Sequence, residues 1–305
     1  MGKLIYMRRL DDKISPRYGV GVKIVFAKNI GFCSGVKRAI AIAEKSLRED
    51  PKPIQFWGSL VHNEKVIEKF IKKGVKLTKN LKEVKSGTLI IQAHGRPPFS
   101  NQIKKNIVVR DATCPLVKKV QSIASSLYRK GYQVIIIGDK NHSETKGIKG
   151  YTNKKGIIVE NKKGAEGLSK FKKIGVVAQT TQDSDNVKQV LDILKKKSKE
   201  IEYINTLCPE VQNRQKELNS ILKKTDGILI IGSRTSANTK RLMEVAKKSK
   251  KPAWRTNSPR ELKKRKLKNL PVLGIISGTS TPDWLIKEII AKLKNKNERK
   301  KDKNN

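Results

Sequence analysis

Cys33, Cys114 and Cys208 are the only thiols in this 305-residue chain, and each sits in the same local setting. IVFAKNIGFCSGVKRAI, NIVVRDATCPLVKKV and IEYINTLCPEVQNRQ each run from an apolar stretch through a turn to a cysteine, then into helical periodicity. One such residue would read as a small buried hydrophobe; three in one setting point to metal or redox chemistry. They lie 81 and 94 residues apart (33 to 114, 114 to 208), which suits three similar units that each supply one thiol to a common centre. A helix N-terminus is expected to lower a thiol's pKa and favour the metal-binding thiolate. Pro115 and Pro209 fit a first helical turn, where the missing N–H costs nothing.

The chain also has three histidines, His62 in SLVHNEK, His94 in QAHGRPP and His142 in NHSETKG, each after an apolar run or at a turn. Further strand ends carry short polar groups: Thr180 and Thr181 in AQTTQDS, Ser236 and Asn238 in GSRTSANTKRL, Thr279 and Ser280 in SGTSTPDW. Singly, each is a helix cap or turn residue. Recurring at one edge, they describe a polar pocket for an oxyanion or phosphate. Two metal chemistries stay open. Zinc accepts such ligands, but its structural sites draw on tight C-x2-C pairs that this chain lacks. An iron-sulfur cluster on three thiolates would leave one iron free to act as a Lewis acid.

The elements that must position these groups alternate between short β-branched strands and amphipathic helices. VKIVFA, PIQFWG, TLIIQA, NIVVR, YQVIIIG, GIIVE, KIGVVAQ, IEYIN, GILIIG, KPAWRT and LPVLGIIS read as strands of parallel sheets buried on both faces. After Cys33, residues Val36, Ala39, Ile40, Ala43 and Leu47 keep helical spacing, as Val117, Val120, Ala124 and Leu127 do after Cys114. Each cysteine therefore falls at a strand's carboxyl end and a helix's start, the edge where open α/β sheets bind ligands.

A net charge of +42 raises the possibility of a nucleic-acid or ribosome-associated protein with a structural metal site. Against it, lysines recur in nearly every expected helix and loop, aromatic residues make up only 5%, and no basic stripe alternates with stacking rings. The longest apolar runs fall far short of the ~20 residues of a membrane helix, so no membrane role is expected. Three widely separated cysteines form no disulfide framework. A reducing, cytoplasmic setting is the expectation.

Nine segments in order, GFCSGVKRAI, VHN, AHG, DATCPLV, NHSETKG, QTT, LCPEVQNRQ, GSRTSANTKRL and SGTSTPDW, resemble the 4-hydroxy-3-methylbut-2-enyl diphosphate reductase family from about Val22 to Ile290. The resemblance implies an α/β fold of three similar small domains in pseudo-threefold arrangement around a central 4Fe-4S cluster, held by Cys33, Cys114 and Cys208. It implies reductive dehydroxylation of the allylic diphosphate substrate, with two electrons and two protons, to isopentenyl and dimethylallyl diphosphates. By the same resemblance His62, His94, Ser236, Asn238 and Ser280 hold the diphosphate, His142 and Thr180 lie near the hydroxymethyl end, and Glu144 delivers the proton. A small acidic electron donor such as ferredoxin or flavodoxin suits the positive charge. Two positions depart from the family pattern: Glu210 and Val211 replace an Ala-Thr pair after the third cysteine, and Ala237 replaces the second of two serines.

The expected organisation is an N-terminal extension over 1–21, α/β units over 22–115, 116–209 and 210–291, and a disordered basic tail over 292–305. The strand within 22–33 is a candidate to join the third unit.

Overall fold

The β-branched runs assemble into three parallel sheets of four strands each in this computed structural model, which describes residues 23–99, 103–264, 267 and 270–298. The strands are, in chain order, β1 (Lys23–Phe26), β2 (Ile54–Trp57), β3 (Lys76–Thr78), β4 (Thr88–Ile91), β5 (Val108–Asp111) and β6 (Gln133–Ile137). They continue as β7 (Ile157–Val159), β8 (Phe171–Ala178), β9 (Ser198–Tyr203), β10 (Gly227–Ile231), β11 (Ala253–Thr256) and β12 (Val272–Ser277). The sheet orders are β3-β2-β4-β5, β7-β6-β8-β9 and β11-β10-β12-β1, so the three share one topology. β2, β4 and β10 are wholly buried, whereas the last strand of each sheet, β5, β9 or β1, is a half-exposed edge. β1 joins the third sheet by pairing in parallel with β12, Lys23 against Val272 through Phe26 against Ile275. The chain ahead of it, 1–21, lies outside the described residues.

Each edge strand leads through its cysteine into a helix that packs on the next sheet. α1 (Ser34–Glu49) follows β1, yet its Val36, Ala39 and Ala43 pack with Ile54 and Phe56 of the first sheet. α3 (Pro115–Arg129) follows β5 and lays Val120, Ala124 and Leu127 against Val134, Ile136 and Val177 of the second. α7 (Pro209–Lys223) follows β9 and sets Leu218, Ile221 and Leu222 against Ile228, Ile230 and Ile276 of the third. Burying each such aliphatic side chain stabilises the fold by about 1.5–3 kcal/mol. That burial also fixes where the three cysteines sit, at the three crossings between sheets.

The remaining helices are α2 (Glu64–Lys72), α4 (Ser143–Gly150), α5 (Lys162–Glu166), α6 (Ser184–Leu194), α8 (Ala237–Lys248) and α9 (Asp283–Glu298). α2, α4 and α8 each follow the second strand of a sheet order, β2, β6 or β10, and so start at the same edge as the cysteine helices. α9 continues to Glu298, so the stretch expected to be tail from 292 onward begins as helix. Its Leu285, Ile286 and Ile289 are anchored in the third sheet's core, with Ile290 and Leu293 packed alongside, and a helix so nucleated propagates into a polar continuation.

Candidate active site

Each cysteine stands at the N-terminus of its helix, and its backbone N–H is fixed in the same way. Cys33 donates to Thr279 O (3.1 Å), Cys114 to Ala93 O (2.9 Å) and Cys208 to Thr180 O (2.9 Å). The acceptors lie just past β12, β4 and β8, the strands beside the three edges, so a threefold backbone pattern holds the thiols. All three are free and half-buried. They face one another: a Cβ on Gly35 would lie 2.7 Å from Cys114 Sγ, and Cys208 feels the charge of Cys114, as Cys33 feels that of Cys208. Gly35 is therefore what lets the start of α1 approach the second cysteine.

The helix N-termini were expected to depress the thiol pKa values, and burial reverses this. Removal from water pushes Cys33 up to about 11 against the opposing Val36 N–H, and raises Cys208 in the same direction. A buried thiol in this setting keeps its proton until a cation replaces it.

The three histidines meet at the neighbouring strand ends. His62 stacks on His94 with ring centroids 4.1 Å apart, and His142 stands edge-on at 5.0 and 5.4 Å. Burial keeps all three less basic than usual; mutual repulsion adds to the effect at His94 and His142, and His142 falls to about 4. Their ring nitrogens lie within 4.8 Å of one another, close enough for a metal ion. The tautomer argues otherwise. Glu144 N donates to His142 Nδ1 (3.2 Å), which leaves the neutral ring's proton on Nε2. His142 Nε2 is buried without a partner, as is His94 Nε2. A protonated nitrogen waiting for an acceptor suits an anion rather than a metal.

Donors from the other units surround this cluster. Ser280 donates to His62 O (3.0 Å), and Ser143 lies 3.3 Å from His62 Nε2. Ser236 caps α8 by accepting from Thr239 N (3.3 Å), and Asn238 in that first turn is 2% exposed with neither amide atom bonded. A cavity of about 440 Å³ opens beside His62 and His142, lined also by Asn63, Glu64, Ser143 and Thr235 among others. Glu144, wholly buried, accepts from Thr180 N (2.6 Å) and Thr180 Oγ1 (3.0 Å). Burial raises its carboxyl to about 7 despite those two donors.

The sequence pattern of the LytB protein family spans residues 24–294 of this chain, with this arrangement inside it. The chain belongs to the LytB family. A Dictyoglomus thermophilum 4-hydroxy-3-methylbut-2-enyl diphosphate reductase is 41% identical over 273 residues, 89% of this chain and 96% of that protein. The solved E-1-hydroxy-2-methyl-but-2-enyl-4-diphosphate reductase of Plasmodium falciparum matches with a TM-score of 0.84 at 33% identity, over 90% of this chain and 88% of that one. A second solved structure, described as (E)-4-hydroxy-3-methyl-but-2-enyl diphosphate reductase, the terminal enzyme of the non-mevalonate pathway, matches at 0.65 and 34% identity, over 89% and 99%.

Against that LytB background the departing residues have defined surroundings. Glu210 reaches from the first turn of α7 to Ser34, accepting from its backbone N–H (3.1 Å) and its hydroxyl, and so ties the Cys33 and Cys208 loops together. Val211 is buried at 4% exposure and Ala237 at 7%. Two positioning arginines escaped the sequence reading. Arg214, buried on α7, donates to Gly31 O (2.7 Å) and Ser277 O (2.9 Å) and supports the loop before Cys33. Arg38 on α1 donates to Thr113 O (3.1 Å), beside Cys114. Their only signal is position: an arginine one or two turns past a cysteine lies on a helix face that can turn inward.

Proposed function

We propose that this chain reduces 4-hydroxy-3-methylbut-2-enyl diphosphate to isopentenyl and dimethylallyl diphosphates, consuming two electrons and two protons and releasing water. The observation that carries the reading is the meeting of three half-buried thiols from three sheets beside three clustered, weakly basic imidazoles, of which His94 and His142 each keep a buried, unbonded Nε2.

The donor set fits a 4Fe-4S cluster on Cys33, Cys114 and Cys208. Each thiol enters from the edge of a different sheet, at the start of its own helix. Structural zinc sites draw instead on tight C-x2-C pairs, which this chain lacks, and that disfavours the rival of a basic nucleic-acid-binding protein with structural zinc. When bound, the cluster supplies electrons and a Lewis-acidic iron with an open position.

The remaining work falls to the chain's own side chains. His62, His94, Ser236, Asn238 and Ser280 take the diphosphate, whose oxygens satisfy the unbonded His94 Nε2 and the Asn238 amide. His142, whose Nδ1 is held by the Glu144 N–H, offers its Nε2–H at the hydroxymethyl end. Glu144, protonated near neutral pH, gives the proton with which the substrate hydroxyl leaves as water, and Thr180 fixes the carboxyl's orientation. The electrons come from a small acidic carrier such as ferredoxin or flavodoxin, which a net charge of +42 attracts. Among the described residues no helix is long and apolar enough to cross a membrane. Three free, widely separated thiols support a reducing, cytoplasmic setting.

The reading is tested by supplying anaerobically purified protein with a low-potential reductant and the substrate. Formation of both diphosphate products supports it. A cluster-loaded enzyme that consumes no substrate sinks it.

A further inference from the structure

Glu64, in the first turn of α2, receives three hydrogen bonds from residues far along the chain. Ser233 Oγ donates to Oε1 at 2.8 Å and Thr235 Oγ1 to the same oxygen at 3.1 Å, while Asn257 Nδ2 donates to Oε2 at 2.9 Å. All three donors belong to the third sheet's loops, and Glu64 belongs to the first unit, two residues from His62. One carboxylate thus spans the junction beside the imidazoles. The segment it holds, Gly232–Ser236, leads straight into Asn238.

Asn238 has to be held by something. Both of its amide atoms are buried and unbonded, so nothing at that side chain keeps the start of α8 in place before a ligand arrives. The loop's other supports lie within the third unit: Gly232 N donates to Thr256 O (2.8 Å), Thr235 N to Ser233 Oγ (3.0 Å) and Thr239 N to Ser236 Oγ (3.3 Å), and Thr239 Oγ1 would lie 2.4 Å from a Cβ on Gly232. Those contacts shape the loop without tying it to the first unit, whose Glu64 lines the same cavity as Thr235.

We infer that Glu64 is a positioning residue, a latch that draws the Gly232–Ser236 loop over the imidazole cluster and pre-orders Asn238 for a diphosphate. The inference rests on the reading of this cavity as a diphosphate site. It is not the behaviour expected from charge alone, because a carboxylate beside a diphosphate repels it. The latch accepts that repulsion in exchange for a donor already in place.

The test measures inhibition by inorganic pyrophosphate, together with KM, kcat and iron content, on the cluster-loaded enzyme and three variants. Glu64→Ala should weaken pyrophosphate inhibition and raise KM by on the order of tenfold, with kcat within about twofold and iron retained. Glu64→Gln keeps one oxygen for Ser233 and Thr235 and should recover most of the loss. Thr235→Val, which keeps the shape and removes one donor, should lose part of the affinity and add nothing on top of Glu64→Ala. Equal or tighter pyrophosphate binding in Glu64→Ala, or a fall in kcat that matches the change in KM, overturns the latch while leaving the diphosphate reading intact. Failure of pyrophosphate to compete in the unaltered enzyme overturns both.

Discussion

Thr180 holds Glu144 from two directions, its backbone N–H on one carboxylate oxygen at 2.6 Å and its hydroxyl on the other at 3.0 Å. The same residue's carbonyl accepts the N–H of Cys208 at 2.9 Å. A single residue therefore orients the proposed acid and one proposed cluster ligand, which is how a proton source can stay in register with the metal centre through one short loop.

If Glu144 is the acid, Glu144→Gln keeps both Thr180 contacts in shape but has no proton to give. Turnover should fall by roughly 100-fold or more, with iron content and diphosphate affinity retained. Glu210→Gln, measured beside it, should leave turnover close to normal, because Glu210 is occupied with Ser34. A collapse in the second variant with near-normal rates in the first would transfer the role to Glu210.

The pH dependence follows from the same carboxyl, raised from its ordinary 4.5 to about 7 by burial. Turnover should decline as pH rises above about 7, roughly tenfold per unit where this proton limits the rate. Glu144→Gln should lack that limb. Stability gives a second check. A folded-state pKa raised above the unfolded value contributes stability that is full below the unfolded value and lost as pH rises through about 7. The stability of the unaltered protein relative to Glu144→Gln should therefore drop between about pH 5 and about pH 8, and a flat difference would contradict the raised pKa.

His142 combines a helix cap with an unbonded donor, and one substitution separates them. Asparagine still accepts from the Glu144 N–H, so His142→Asn should preserve α4 while removing the Nε2 donor. KM for the full substrate should rise by about tenfold, the scale of one lost hydrogen bond, while inhibition by inorganic pyrophosphate stays close to normal. An unchanged KM would remove His142 from the hydroxymethyl end, and a matching loss of pyrophosphate inhibition would move it to the diphosphate.

Eleven of the twelve strands are legible because each carries a short run of β-branched or aromatic residues bounded by turn residues, whether it ends up central or at an edge. β3 is not legible: Lys76 and Leu77 are exposed on an edge and carry no pattern. The grouping of cysteines and histidines follows from local context, since each stands where an apolar run gives way to a helix or turn. What local context cannot supply is pairing across the chain. Glu64 meets Ser233 and Asn257 only because the loops after β2, β10 and β11 come together across two sheets, and Arg214 reaches Gly31 because β1 joins the sheet on which α7 packs. The thiols' surroundings are hidden from local sequence on similar grounds. Helix polarity is written in the sequence around Cys33, but the burial that overrides it is created by packing between units.

Iron and acid-labile sulfide counted on anaerobically purified protein, for the unaltered chain and for Cys33→Ser, Cys114→Ser and Cys208→Ser, test the central claim most directly. The account predicts about four iron and four sulfide per chain, lost together with activity in each of the three variants because no spare thiol exists to substitute. Zinc without sulfide in the unaltered protein, or full iron retained by any one of the three variants, would contradict it.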